Sequence, residues 1–119
     1  MDLQNAALFR LIFENALNGI VLIDEKLVCL DVNPALCLML GRSRSTVLGV
    51  SCHALICPAD TPALDIAARQ LWEKGAWPGE LRMPASDGSA RTVEWKISTQ
   101  ENDTIAAVVL TDITTRCGY

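Results

Sequence analysis

Asp31–Val32–Asn33–Pro34–Ala35, followed by Leu40–Gly41–Arg42–Ser43, marks where this chain passes from strand to helix and where that helix stops. An Asn side chain accepts hydrogen bonds from the exposed amides of a helix start, and Pro suits the first helical position, so Asn33–Pro34 opens a helix. Gly41 ends it. Upstream, Ile20–Val21–Leu22–Ile23 reads as a buried strand closed by Asp24–Glu25, with Leu27–Val28–Cys29–Leu30 as its hairpin partner. Downstream, Ser43 to Val47 reads as a short helix capped by Ser43 and stopped at Gly49. Pro62 then begins a longer helix through Ile66, Arg69 and Trp72 to Gly75.

The flanks complete the pattern. From Leu3 to about Leu17, the residues Leu8, Phe9, Ile12, Phe13 and Ala16 share one helical face, and Asn18–Gly19 breaks the helix. After Trp77–Pro78–Gly79, Glu80–Leu81–Arg82–Met83 alternates polar with apolar, Asp87–Gly88 turns, and Arg91 to Ser98 alternates again. The final run Ile105–Ala106–Ala107–Val108–Val109–Leu110 is continuously apolar, which places it in the middle of a sheet. One helix, two strands, three helices and three strands predict an α+β domain, a five-stranded antiparallel sheet with helices on one face.

Composition bounds the function. The chain has 119 residues, half of them apolar and a fifth charged, which is one globular domain's worth. Fourteen acidic against ten basic residues give a net charge of −4 without a basic cluster, so nucleic acid is not an expected partner. No apolar run reaches the roughly 18 residues needed to span a bilayer, and the N-terminus lacks the basic start of a secretory signal, so a cytoplasmic location is expected. Five cysteines at irregular spacing, Cys29, Cys37, Cys52, Cys57 and Cys117, read as reduced thiols. No nucleophile–base pair, phosphate loop or zinc spacing points to an enzyme or a metal site.

The segments Phe9–Ala16 with Gly19–Ile20, Asn33–Pro34–Ala35 with Gly41, and Asp112–Ile113–Thr114–Thr115–Arg116 occur in the order seen in the PAS family of sensory domains, which this chain resembles from about Leu8 to Arg116. The resemblance implies the PAS fold, with residues 1–18 as an amphipathic helix, 19–116 as the PAS domain and 117–119 as the start of a linker. It further implies a signalling module of a longer bacterial sensor protein, such as a two-component transferase, whose output domain lies elsewhere in the parent chain. Asp112, Ile113 and Thr114 match the family's exit motif, which couples sensing to output; alternatively, they cap a strand end.

The family's pocket lies between the sheet and the helix that runs here from Pro62 to Gly75. Candidate pocket residues are Asn33, Cys37, Cys52, His53, Trp72, Trp77 and Trp95. Haem is disfavoured because the helix over 62–75 carries no histidine, and His53, the only histidine, stands in the preceding loop. Cys52 falls where the flavin-binding light-sensing branch has its reactive cysteine, but Ser51, His53 and Ile56 replace the polar neighbours that hold flavin there. Trp72 and Trp77 resemble the tryptophan-bearing segment of redox flavin sensors; equally, Trp77 closes a turn and Trp95 packs in the core. The cofactor is therefore none or a flavin. A colourless small-molecule ligand would need an anchor from Arg69, Arg82 or Arg91. The competing reading is a ligand-free association module, a homodimer formed through Leu8, Phe9, Ile12 and Phe13 and the exposed sheet face.

Overall fold

A computed structural model describes residues 3–74, 76–99 and 104–114, with side chains described at 7–70, 79–97 and 104–114. The helices are α1 (Leu3–Asn15), α2 (Pro34–Leu40), α3 (Arg44–Val47) and α4 (Thr61–Lys74). The strands are β1 (Gly19–Asp24), β2 (Cys29–Val32), β3 (Ala76–Pro84), β4 (Ala90–Thr99) and β5 (Ile105–Asp112). They form one antiparallel sheet in the order β2-β1-β5-β4-β3. The last strand is thus the central one, as its uninterrupted apolar run requires. Two 3₁₀ turns, Cys52–Ala54 and Pro58–Asp60, lie between α3 and α4.

Alternation along the strands separates the two faces. Val21 and Ile23, Val93, Trp95 and Ile97, and Val108 and Leu110 are buried under the helices. On the opposite face, Glu94 and Lys96 point to solvent with Ile105 and Val109. This packing is what a period of two residues produces when one face is covered.

Three boundaries differ from the sequence reading. The hairpin's second strand starts at Cys29 rather than Leu27. Asp24 causes this: its carboxylate accepts the amides of Lys26 (2.8 Å) and Val28 (3.0 Å), and its carbonyl accepts that of Leu27 (2.9 Å). These bonds hold Leu27 at a φ of 65°, a left-handed conformation that a buried, tightly packed side chain sustains. Ser43 precedes α3 without a side-chain cap; its hydroxyl bonds Ser45 instead. β3 begins at Ala76 and runs through Pro78 and Gly79, because an edge strand needs no amide on its free side.

Asn33 is the one buried polar side chain among the described residues, and it is fully enclosed. Its Oδ1 accepts the amides of Ile20 (2.8 Å) and Leu36 (3.1 Å). Its Nδ2 donates to the carbonyls of Phe13 (3.1 Å) and Asn18 (3.0 Å). One amide group therefore caps α2, closes the end of α1 and fixes the first residues of β1. Beside it, Gly19 packs so closely on α2 that an added Cβ would stand 3.0 Å from Leu36 Cδ1. At the other end of α2, Gly41 takes φ 64° and its amide bonds the last carbonyls of the helix.

Outside the clamp, Asp31 joins α1, β2 and α3. It lies 3.4 Å from Arg10 Nη2 and 2.8 Å from Arg44 Nη2. Burial pushes its carboxyl up, but the Arg44 guanidinium, the Val32 amide and Arg10 together hold it below the ordinary value.

Replacing Asn33 with Ala strands several buried backbone groups and is expected to cost about 3 kcal/mol, read as a lower urea midpoint at unchanged slope. The depressed Asp31 carboxyl contributes stability that is present above the ordinary carboxylate pKa and lost as pH falls through its lower folded value. As pH falls below about 4, wild-type stability should therefore decline more steeply than that of Asp31→Asn in parallel urea titrations.

Candidate functional site

Between the covered face of the sheet and α4 lies a cavity of about 40 Å³. Its floor comprises Val21, Ile23, Trp95, Ile97, Leu81 and Met83; Leu55, Ile56 and Leu64 form its roof. The remaining wall includes Cys29 and Cys52. Ligand pockets for drug-sized molecules run to roughly 300–1,000 Å³. This one accommodates a small apolar group, and its walls, apolar apart from the two thiols, offer no charged or amide anchor to the edge of a flavin ring. As they stand, these residues do not fit an isoalloxazine.

Of the sequence candidates, the structure brings Cys52 and Trp95 to the cavity. Asn33 is instead the clamp described above, and Cys37 lines an open outer groove beside Leu38, Arg42 and Arg44. The side chains of Trp72 and Trp77 lie outside the described residues. Arg69 and Arg82 are exposed, and Arg82 is engaged by Asp60. Arg91 stands 3.8 Å from Asp112 at the strand ends. None of these three lines the cavity.

His53 has a carboxylate partner that the sequence reading lacked. Its Nε2 is 2.7 Å from Asp65 Oδ1 on α4 and its Nδ1 3.1 Å from Ser51 Oγ. The ring faces outward and staples the first 3₁₀ turn to α4. It is no axial ligand for the cavity. The partner stands twelve residues away on another element, which no local pattern signals.

The two thiols in the wall also escaped pairwise reading. The neighbouring Cys52 thiol pulls the Cys29 thiol below its ordinary value against burial and the charge of Asp24. The Cys29 side chain, together with burial, pushes Cys52 far above the ordinary thiol range. Cys29 is buried at the start of β2, and no local spacing pairs it with Cys52 in the turn after α3.

At the exit, Asp112 Oδ1 accepts the amide (2.9 Å) and hydroxyl (2.5 Å) of Thr114. Thr114 Oγ1 in turn accepts the Thr92 amide at 2.9 Å, and the Ile113 amide donates to the Thr92 carbonyl at 2.8 Å. Ile113 is buried. The Asp112–Thr114 turn is thereby fastened to β4.

At the N-terminus, Phe13 turns into the domain and is 1% exposed, stacking on Phe9 with ring centroids 5.5 Å apart. Leu8, Phe9, Leu11 and Ile12 remain outside, from 45% to 61% exposed. The described residues hold no group of three or more metal-ligating side chains, and no described helix is long and apolar enough to cross a membrane.

A family model described as "PAS domain" matches residues 17–115. No curated protein matches the chain. Among solved structures, the PAS domain of a protein from Colwellia psychrerythraea is 26% identical with a TM-score of 0.84, over 94% of this chain and 99% of that one. A domain of a sensory box sensor histidine kinase/response regulator from Geobacter sulfurreducens is 24% identical with a TM-score of 0.81, over 91% and 94% of the two chains. The Rhodobacter sphaeroides LOV protein shares the fold at 15% identity and a TM-score of 0.79, over 95% of this chain and 69% of that one.

Thr114→Val keeps the side-chain shape but removes both bonds of Oγ1. The expected outcome is a loss of about 1–2 kcal/mol and faster hydrogen exchange at the Thr92 amide, with Thr114→Ser near wild type. Unchanged exchange at Thr92 would mean that the turn is not held there.

Proposed function

This chain belongs to the PAS domain family, and on that premise we propose that it is the cytoplasmic sensory input domain of a longer signalling protein such as a two-component kinase, binding a small apolar ligand. The observation that carries the reading is the cavity between sheet and α4, whose walls come from β1, β3, β4, β5 and α4. Val108 lines it from β5, the strand that ends in Asp112. A ligand that prefers one arrangement of these walls shifts the population of states at the Asp112–Ile113–Thr114 turn by its differential affinity. Catalysis belongs to the output domain. The small, largely apolar lining favours a colourless apolar guest over flavin, despite the fold shared with a LOV protein.

A second role is supported by the outward residues of α1. Leu8, Phe9, Leu11 and Ile12 on α1, together with Ile105 and Val109 on the uncovered sheet face, present apolar surface suited to a second copy of this chain. Residues 1–18 then act as a dimerisation helix and 117–119 begin the linker to output.

An absorption spectrum of freshly purified protein, with mass spectrometry of what denaturation releases, tests the ligand. The expected protein is colourless and releases at most a small apolar molecule; a near-stoichiometric flavin or haem band would overturn the reading. In a fusion to a heterologous histidine kinase, filling the cavity with Val108→Leu should make output insensitive to added ligand. Light scattering at tens of micromolar should give a dimer mass for the wild type and a folded monomer for Phe9→Glu/Ile12→Glu.

A further inference from the structure

The cavity wall holds a pair of thiols whose placement is set by backbone. Val28 and Ser51 form an isolated antiparallel bridge, flanked by bonds from the Cys29 amide to the Val50 carbonyl (2.9 Å) and from the Cys52 amide to the Leu27 carbonyl (2.8 Å). Cys29 and Cys52 each follow a bridge residue, so both project from the opposite side of the ribbon, into the cavity, as diagonal neighbours. Both side chains line the same cavity wall. Cys37 and Cys57 stand elsewhere, the first in the outer groove and the second bonded through its amide to the Arg82 carbonyl.

We propose that Cys29 and Cys52 form an oxidant-responsive dithiol, which a small hydroperoxide, hydrogen peroxide above all, converts to a disulfide inside the cavity. The volume of about 40 Å³ selects the oxidant. Peroxide is little larger than water and fits, whereas a peptide disulfide does not. The Cys29 sulfur, as thiolate, attacks one peroxide oxygen. The O–O bond breaks, and the departing hydroxide takes up the proton Cys29 released and leaves as water. Cys29 is then a sulfenic acid. The Cys52 sulfur attacks the Cys29 sulfur, the S–O bond breaks, and the hydroxyl leaves with the Cys52 proton as a second water. Two electrons pass from the sulfur pair to the peroxide, reducing it fully to water. The lowered pKa of Cys29 and raised pKa of Cys52 fit this division into attacking and resolving thiols.

Closing the bond also moves the backbone. Diagonal positions stand about 7–8 Å apart at Cα, and a disulfide needs roughly 4.4–6.8 Å. The turn over 51–54 must therefore approach β2. His53 travels with Cys52 and is bonded to Asp65, so the contraction is passed to α4. Use of the bond as an input rests on the sensory reading above; its formation does not.

The test treats the whole chain with a small molar excess of hydrogen peroxide, alkylates remaining thiols and maps peptides. It is run on wild type and on Cys37→Ser/Cys57→Ser/Cys117→Ser, which retains the pair. The expected result is a reductant-reversible Cys29–Cys52 link in both proteins, and in Cys52→Ala a Cys29 sulfenic acid trapped by dimedone. Oxidation that spares this pair, links another pair first or stops at sulfinic acid on one cysteine would overturn the proposal. A link that forms while output of the kinase fusion stays unchanged would overturn its use as an input and leave the site standing.

Discussion

The amide of Asn33 is the constraint on which the rest of the domain depends. It meets α1, β1 and α2 at one buried point, and each of its two polar atoms serves two backbone groups. A carboxylate of the same shape lacks the two donors, and an aliphatic side chain lacks everything. Burying these backbone ends without partners would cost about 1–3 kcal/mol apiece, a large share of a typical domain's net stability of about 5–15 kcal/mol. With the chain end of α1 and the start of β1 fixed there, β1 can pair with β5 from Gly19 onward, and the order of the sheet follows.

Local chemistry was enough to find Asn33–Pro34 as a helix start, because a cap and its helix are adjacent. The other half of the clamp joins Asn33 to Phe13, Asn18 and Ile20, residues thirteen to twenty positions away, and no spacing rule announces that. The same division runs through the molecule. Alternation along Arg91 to Ser98 placed Trp95 in the core, and the apolar run from Ile105 placed β5 at the centre. The delayed start of β2 depends on Asp24 turning its carboxylate back on its own chain, a competition between side chain and ladder that propensity does not resolve. The cavity depended on the longest-range information, and its candidates were accordingly mixed: Trp95 and Cys52 reach it, while Cys37 and His53 face outward because each belongs to a short element whose rotation only packing decides.

Cavity size argues against a flavin in this domain in physical terms. Leu55, Ile56, Leu64, Leu81 and Met83 fill the volume that a ring system would need, and dense packing makes enlarging such a space expensive, at about 24 cal/mol per Å³ left empty. Several truncations would have to act together before a flavin could enter, and they would still supply no donors or acceptors. A common fold thus constrains the position of the pocket and leaves its chemistry open.

The floor and roof of that pocket differ in how they can respond. β5 is hydrogen-bonded on both sides and β4 likewise, so neither can slide alone. The roof over 52–60 is short 3₁₀ turns fastened at separate points. Val28 meets Ser51, His53 meets Asp65, and the Cys57 amide bonds the Arg82 carbonyl. Asp60 accepts the Arg82 amide at 2.8 Å and its guanidinium at 3.2–3.3 Å, and Arg82 holds the Asp60 carboxyl below its ordinary value. Arg82 is the register partner of Thr92 across β3 and β4, and Thr92 is the residue that holds Ile113 and Thr114. Contact therefore runs without a gap from the soft roof, through Asp60 and Arg82 on the edge strand, to the exit turn. These contacts run along the β3 edge of the sheet rather than through β4 and β5, each of which is paired on both sides, and β3 has a free outer side.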